Sequence, residues 1–320
     1  MPDSPEGRIH LDIVVTDKSG NPVSGLDVKD FILLDNNLPS KILSFQAFKG
    51  TVQNAEPPVE VILLIDAVNL PFHQVSYARK QVTSFLLQNG GHLAHPVSIF
   101  WLTDKGLKVQ PQPSDDGNAV ADMLDRLAPE LRTIARDTGE QGAIERFQLS
   151  VKTFGSILES EGKKPGRKLL VWVGPGWPML NGAAFDTSSQ GRQQTFRAIV
   201  EMSAKMREAR LAVYSISTGA LDATTDFYQE YLKGVKLAEK ANPPNLSLKV
   251  LAVQSGGRAL SPSNDLTGDI GSCVQDATAF YTISFDPPRA DKPNEYHDLK
   301  VQIDQPGLKA RTNTGYYNQP

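Results

Sequence analysis

The stretch from Val59 to Leu70, VEVILLIDAVNL, constrains the fold of this chain more than any other. Residues 61–65 are all apolar, and the carboxylate of Asp66 ends the run. Such a run between polar flanks is typical of a strand buried on both faces, like a central strand of a parallel sheet. Open α/β sheets bind ligands beyond the carboxyl ends of their strands, which is where Asp66 is expected to lie.

The chain after this strand alternates between apolar strands and segments with helical spacing. Apolar strands are predicted at 97–102, 168–173 and 210–217, and helices at 144–158, 188–208, 226–241 and 246–254. Strands that alternate with helices indicate a mostly parallel sheet covered by helices on both faces. We therefore predict a Rossmann-like, doubly wound α/β domain over residues 58–278.

The two ends of the chain have a different pattern, with short strands joined by turns. Strands are predicted at 9–16, 32–34 and 41–48, and again at 280–285, 299–303 and 308–312. Three short strands are too few to close a core alone, so each group needs the other. We predict one discontinuous β-sandwich domain, formed by residues 1–52 and 279–320, into which the α/β domain is inserted.

Composition excludes several classes of function. The chain has 320 residues, and its 33 basic and 36 acidic residues give a net charge of −3, which does not indicate a nucleic-acid partner. Its apolar runs are far shorter than the ~20 residues that a membrane helix needs, so we expect no membrane insertion. Cys273 is the single cysteine, which excludes an internal disulfide. The amino end lacks the pattern of a signal peptide, which is expected both of a cytosolic protein and of the mature form of an exported one.

Several stretches together resemble a known family. The segments VILLID, VSIFWLTD, KLLVWVGPG, RLAVYSIS and VQSGGRAL are similar to the von Willebrand factor A-type (vWA) domain. The flanking segments, IVVTDKSGNPVSGLDVKDF at one end and FYTISFDPPRADKPNEYHDLKVQID at the other, resemble the "VWFA-related" proteins of Acidobacteria. The resemblance covers nearly the whole chain. It implies a vWA-type fold, a protein-binding or adhesion role, and a secreted, periplasmic or cell-envelope location.

The resemblance also implies a metal-ion-dependent adhesion site, from which this sequence departs. The first aspartate of the family's D-x-S-x-S motif is Asp66, but its two serine positions hold Val68 and Leu70. Asn69 and Thr138 are the remaining candidate ligands. Mg²⁺ prefers about six oxygens in octahedral geometry, so a site made of Asp66, Asn69 and Thr138 would hold Mg²⁺ or Mn²⁺ only weakly. We therefore expect a degenerate site and no firmly bound cofactor.

Three residues are candidates for a partner-binding surface at the carboxyl edge of the sheet: Asp66, Asp104 and Trp177. Each also has a structural interpretation. Asp66 can accept hydrogen bonds from the backbone of the loop that follows it. Asp104 follows VSIFWLT at a position expected to be a turn, and Trp177 in GPGWP can fold back onto the sheet.

The hypothesis that follows is a non-catalytic, adhesion-type binding protein that presents this sheet edge to a protein partner. No strand is followed by a nucleophile elbow or by a phosphate-binding glycine motif. Two alternatives stay open. One is a metal-dependent hydrolase that uses the same edge, and the other is a purely structural envelope protein.

Overall fold

The computed structural model describes residues 7–49, 59–129, 139–179, 188–217 and 227–320. Within them the strands are β1 (Ile9–Thr16), β2 (Phe31–Asp35), β3 (Leu38–Ser40), β4 (Ser44–Lys49), β5 (Glu60–Asp66), β6 (His92–Thr103), β7 (Gly106–Val109), β8 (Ser114–Asp116), β9 (Lys168–Val173), β10 (Leu211–Ile216), β11 (Arg258–Ala259), β12 (Ala279–Phe285), β13 (Glu295–Ile303), β14 (Lys309–Arg311) and β15 (Gly315–Asn318). The α-helices are α1 (Phe72–Leu86), α2 (Gly117–Leu127), α3 (Glu140–Glu161), α4 (Ser189–Glu208), α5 (Leu248–Gln254) and α6 (Leu266–Val274). None of these helices is long and apolar enough to cross a lipid bilayer.

The middle of the chain forms a mostly parallel sheet, as predicted. Its strand order is β11-β10-β9-β5-β6-β7, and β5, β6, β9, β10 and β11 pair in parallel. The short strands β7 and β8 pair antiparallel with β6. The chain runs outward from β5 to β6 and then returns to the other side of β5 at β9. The topological switch point therefore lies between β5 and β9, where such folds place ligands.

Strand β5 is buried on both faces, which confirms the prediction from its apolar run. Alternate side chains of a strand point to opposite faces. Val61, Leu63 and Ile65 contribute to one core, which includes apolar side chains of α1, α2 and α6. Ile62 and Leu64 contribute to a second core, with side chains of α3, α4 and α5. Helices thus cover both faces of the parallel sheet.

The two ends of the chain meet in two four-stranded antiparallel sheets. One sheet has the order β14-β1-β12-β4 and the other has the order β15-β13-β2-β3, so each combines strands from both termini. Both contribute to one core, with Leu11 and Ile13 from the first sheet and Leu33 and Tyr316 from the second. The mixed α/β class is therefore established. The division into domains 1–52 with 279–320 and 58–278 stays a prediction.

The structure corrects several predicted elements. The predicted helix over 226–241 is wrong, because the described part contains only short 3-10 helices at Phe227–Tyr231 and Ala238–Lys240. Residues 38–49 form two strands, β3 and β4, where one strand was expected. Strand β15 at the carboxyl end was not predicted at all. It pairs with β13 over only four residues, too short a segment to give a clear period of two.

Candidate functional site

Asp66 ends β5, and its side chain is fully buried. Its Oδ1 atom accepts hydrogen bonds from the backbone N–H groups of Val68 at 3.0 Å and Asn69 at 2.8 Å. Its Oδ2 atom accepts from Asn69 Nδ2 at 2.8 Å and from Trp172 Nε1 at 3.0 Å. All four partners are N–H donors, so both carboxylate oxygens are engaged inside the protein.

Local sequence explains how this network forms. A carboxylate that accepts N–H groups two and three residues later is turn chemistry typical of aspartate. Gly174, directly after β9, comes close to the same side chain. A Cβ at Gly174 would lie 2.8 Å from Asp66 Cβ, and its φ of 153° belongs to the region that glycine favours. The loop after β9 therefore packs directly against the end of β5.

Two opposing effects act on the pKa of Asp66. Burial disfavours the charged carboxylate and raises this pKa, and the hydrogen bonds from Asn69, Trp172 and Val68 act to lower it. Burial dominates, so the pKa of Asp66 lies above its usual range.

The described residues do not fit a Mg²⁺ or Mn²⁺ site. A cation at Asp66 would have to displace N–H donors, one of which belongs to the indole ring of Trp172. Asn69 directs its Nδ2 group, not its oxygen, toward Asp66 and Ser150. Thr138 lies outside the described residues. Within the described ranges no three His, Cys, Asp or Glu side chains come together as a metal-binding group.

A cleft of about 340 Å³ lies beside this network at the carboxyl edge of the sheet. Its volume falls within the range of ~300–1,000 Å³ that is typical of ligand sites. The walls come from the loop after β5, helix α3, the loop after β9, the 3-10 helix at 227–231 and the start of α5. The lining residues are Asn69, Arg146, Pro175, Gly176, Trp177, Pro178, Met179, Phe227, Tyr228, Ser247, Leu248 and Lys249.

Two polar atoms of cleft-lining residues are buried without a hydrogen-bond partner among the described residues. They are Asn69 Oδ1 and Ser247 Oγ. Asn69 Nδ2 faces two acceptors, Asp66 Oδ2 at 2.8 Å and Ser150 Oγ at 3.0 Å, so the orientation of the amide is set and Oδ1 is left over. More than nine in ten buried polar groups in folded proteins are paired. These two unpaired atoms belong to residues that line one cleft, so they are the groups that a ligand entering it would be expected to pair.

The side chains predicted for a partner-binding surface are placed differently from that expectation. Asp66 is 0% exposed and Trp177 is 4% exposed, so neither forms part of an open surface. Trp177 folds back, donating from Nε1 to the backbone oxygen of Leu246 at 2.9 Å and packing against Trp172 and Phe154. Its ring lies under the wall of the cleft. Asp104 lies in the hairpin turn between β6 and β7, away from the cleft.

Sequence reasoning missed Ser247 and the other cleft residues of the α5 region. Ser247 precedes α5, a place where serine commonly caps a helix. Its side chain makes no cap hydrogen bond, and its hydroxyl is buried instead. A serine before an apolar segment gives no sequence signal that separates these two roles, because the difference arises from tertiary packing.

Comparison with known proteins gives little beyond the fold class. No family model and no curated protein matches the sequence. Among solved structures, human COPII-coat protein Sec24c is 12% identical with a TM-score of 0.38, over 86% of this chain and 46% of its own. The pilus adhesin SpaC from Lactobacillus rhamnosus GG is 12% identical with a TM-score of 0.37, over 93% and 43%. The TFIIH p34 N-terminal domain is 17% identical with a TM-score of 0.27, over 61% and 96%.

This chain spans less than half the length of Sec24c and SpaC. TM-scores below 0.5 do not define a fold family, so the class of protein rests on the architecture itself. It is a mixed α/β protein with a mostly parallel, helix-covered sheet and separate antiparallel sheets formed by both termini. A cleft lies at the carboxyl edge of the parallel sheet.

Proposed function

We propose that this chain is a non-catalytic, adhesion-type binding protein with a vWA-like α/β domain, a terminal β-sandwich and a degenerate metal-ion-dependent site. We infer that the cleft at the carboxyl edge of the sheet receives a segment of a protein partner. The observation that supports this most is the pair of buried, unpaired atoms in the cleft, Asn69 Oδ1 and Ser247 Oγ. The resemblance to exported proteins leads us to propose a secreted or envelope location.

The chemistry of the cleft suits a peptide segment. Asn69 Oδ1 can accept an N–H group, and Ser247 Oγ can donate to a carbonyl oxygen, and a peptide backbone carries both of these groups. Pro178 and Met179, which are half-buried and follow the buried Trp177, supply apolar surface for a side chain of the peptide. A few placed polar groups in an apolar cleft are the usual arrangement of a specific binding site.

The environment of Asp66 favours a binding role for this protein over the hydrolase alternative. Its oxygens are engaged by four N–H groups and its side chain is fully buried, so it is not placed to activate water or to reach a substrate. The cleft supports binding over a purely structural role. A protein with no ligand at this edge would gain stability by pairing or removing the two buried polar atoms.

The test is a selection of short random peptides displayed on phage, with the wild-type chain as bait. Selected peptides are then measured by calorimetry against Met179→Asp, which places a charge in the cleft, and Ser247→Ala, which removes one hydroxyl. Leu38→Asp is the matched control, because Leu38 is apolar, 70% exposed and in β3, away from the cleft.

We expect the selection to yield peptides that bind the wild-type chain. Either cleft substitution should lower their affinity about tenfold or more, which equals ~1.4 kcal/mol of binding free energy. Leu38→Asp should leave their affinity unchanged. Peptides that bind all variants equally would show that the cleft is not the site. Turnover of phosphate or carboxylate esters with Mg²⁺ or Mn²⁺ that is lost in Asp66→Asn would replace the proposal with the hydrolase alternative.

A further inference from the structure

A second, smaller cavity of about 20 Å³ lies where β1 meets the junction of α4 and β10. Three arginines line it. Arg167 directly precedes β9, Arg207 lies in the last turn of α4, and Arg210 directly precedes β10. His10 and Asp12 of β1 complete its charged and titratable lining.

The positive charges of this cavity outnumber the negative ones. Asp12 is engaged by Arg210, whose Nε atom is 3.0 Å from Oδ2 and whose Nη2 atom is 2.5 Å from Oδ1. Among the described residues, neither Arg167 nor Arg207 has a carboxylate within ion-pair distance. Burial lowers the pKa of His10, with Arg210 contributing, so this imidazole adds no charge near neutral pH. One carboxylate thus faces three guanidinium groups.

Of the two arginines without an ion pair, Arg167 is buried and Arg207 is half-buried. Arg167 is 3% exposed, donates from Nη1 to the backbone oxygen of Asp276 at 2.7 Å, and lies over the ring of Phe280 at 4.6 Å. Its Nε–H group has no acceptor among the described residues. Burial also lowers the pKa of Arg207, an effect that Glu208 opposes. A buried charge without an ion pair is unfavourable, so the cavity lacks an anion beside Arg167.

The third arginine, Arg210, has an unusual backbone conformation. Its φ is 51°, the left-handed conformation that usually falls to glycine or asparagine at the end of a helix. A side chain with a Cβ is disfavoured there by roughly 1–2 kcal/mol. Its side chain is held there by the carboxylate of Asp12 and the hydroxyl of Thr282.

We propose that this cavity binds a small monatomic anion of the size of chloride. Its volume of about 20 Å³ suits a particle close in size to one water molecule, and a tetrahedral oxyanion is larger. The anion offsets the charges of Arg167 and Arg207 and accepts the unpaired Arg167 Nε–H. Because β1 belongs to a terminal sheet and β10 to the parallel sheet, the bound anion joins the two parts of the molecule. This site is independent of the cleft in the proposed function.

The first measurement is the melting temperature of the whole chain in sodium chloride and in sodium gluconate at equal ionic strength. A ligand that binds only the folded state raises the melting temperature in a saturable way, and general screening acts equally in both salts. We expect a chloride-specific, saturable rise. It should be lost in Arg207→Gln and kept in Arg197→Gln, an exposed position of the same helix.

The second measurement needs no variant. A crystal soaked in bromide should show an anomalous peak in the cavity, within hydrogen-bonding distance of Arg167 Nε and the guanidinium of Arg207. Equal melting temperatures in the two salts would overturn the proposal. Water alone in the cavity of the bromide-soaked crystal would also overturn the proposal. This second result does not depend on whether Arg207→Gln folds.

Discussion

Two buried serines at the ends of α5 give the sharpest test of the cleft. Ser247 precedes the helix and Ser255 follows it, and they are 5% and 6% exposed. Ser247 Oγ has no hydrogen-bond partner among the described residues. Ser255 Oγ accepts from the backbone N–H of Val213 at 2.9 Å and donates to the backbone oxygen of Ala252 at 3.0 Å. Substitution by alanine therefore removes no hydrogen bond at Ser247 and two hydrogen bonds at Ser255.

The two substitutions should change the free energy of unfolding by different amounts. Ser255→Ala leaves the N–H of Val213 unpaired in a fully buried strand, which costs about 1–3 kcal/mol for a buried unsatisfied group. Ser247→Ala removes an atom that is already unpaired. Its effect on the free energy of unfolding should lie within about 0.5 kcal/mol of zero, or be stabilising, because no bond is lost.

The assay is urea unfolding followed by tryptophan fluorescence. Trp101, Trp172 and Trp177 are all buried, so unfolding exposes each of them. A change in the midpoint at constant m-value reports a change in stability. If Ser247→Ala destabilises the chain as much as Ser255→Ala, the Ser247 hydroxyl has a structural partner and the argument for a ligand in the cleft fails.

Further predictions concern the Asp66 network and two glycines. Asp66→Asn should lower the free energy of unfolding by roughly 2–4 kcal/mol, because the new amide group places a donor against N–H groups. The matched control, Asp122→Asn at an exposed position, should change it by less than about 0.5 kcal/mol. Folding raises the pKa of Asp66, so the folded state binds its proton more tightly than the unfolded state does. The stability of the wild type relative to Asp66→Asn should therefore fall as the pH rises from the unfolded pKa of ~4 through the folded pKa. Urea unfolding at each pH measures this difference. Gly257→Ala should prevent folding, judged by circular dichroism, since its Cβ would lie close against the backbone oxygen of Val213. Gly155→Ala, in open space on α3, should stabilise by up to ~1 kcal/mol.

Much of the architecture could be predicted from local patterns. The apolar run that ends at Asp66 indicated a strand buried on both faces, and alternate residues of β5 do face two helix-covered cores. The pattern works because hydrophobic burial and the period of two act on the same short segment. The pairing of the two termini followed from the need of each short strand group for partners, and it is present in both antiparallel sheets.

The failure at 226–241 has a specific tertiary cause. The segment has apolar residues near helical spacing, yet no α-helix forms in its described part. At Gly234 the ring of Tyr296 lies where a Cβ would be, and Tyr317 donates from its hydroxyl to the backbone oxygen of Val235 at 3.1 Å. These partners lie more than sixty residues later in the chain. Local propensity gives way to such packing, so spacing alone could not exclude a helix there.

The cleft could be predicted only in its location. A site at the carboxyl edge follows from the order of the strands, and the cleft lies beside Asp66 as that rule requires. Which residues line it depends on how segments that are far apart in the chain fold back over the edge. Trp177 illustrates the limit: its sequence context allowed exposure, but the rings of Trp172 and Phe154 and the backbone oxygen of Leu246 hold it inside.

Asp66 has a function in this arrangement that needs no metal. A buried carboxylate must be matched by a cation or by several hydrogen-bond donors, and four N–H groups serve here. Two of those donors belong to Asn69, so the carboxylate sets both the turn after β5 and the orientation of the Asn69 amide. That orientation leaves Oδ1 as an unpaired acceptor on a residue that lines the cleft. In the proposed peptide site Asp66 is a positioning residue: if the cleft binds a peptide, removing Asp66 should weaken that binding through Asn69, without Asp66 itself contacting the peptide.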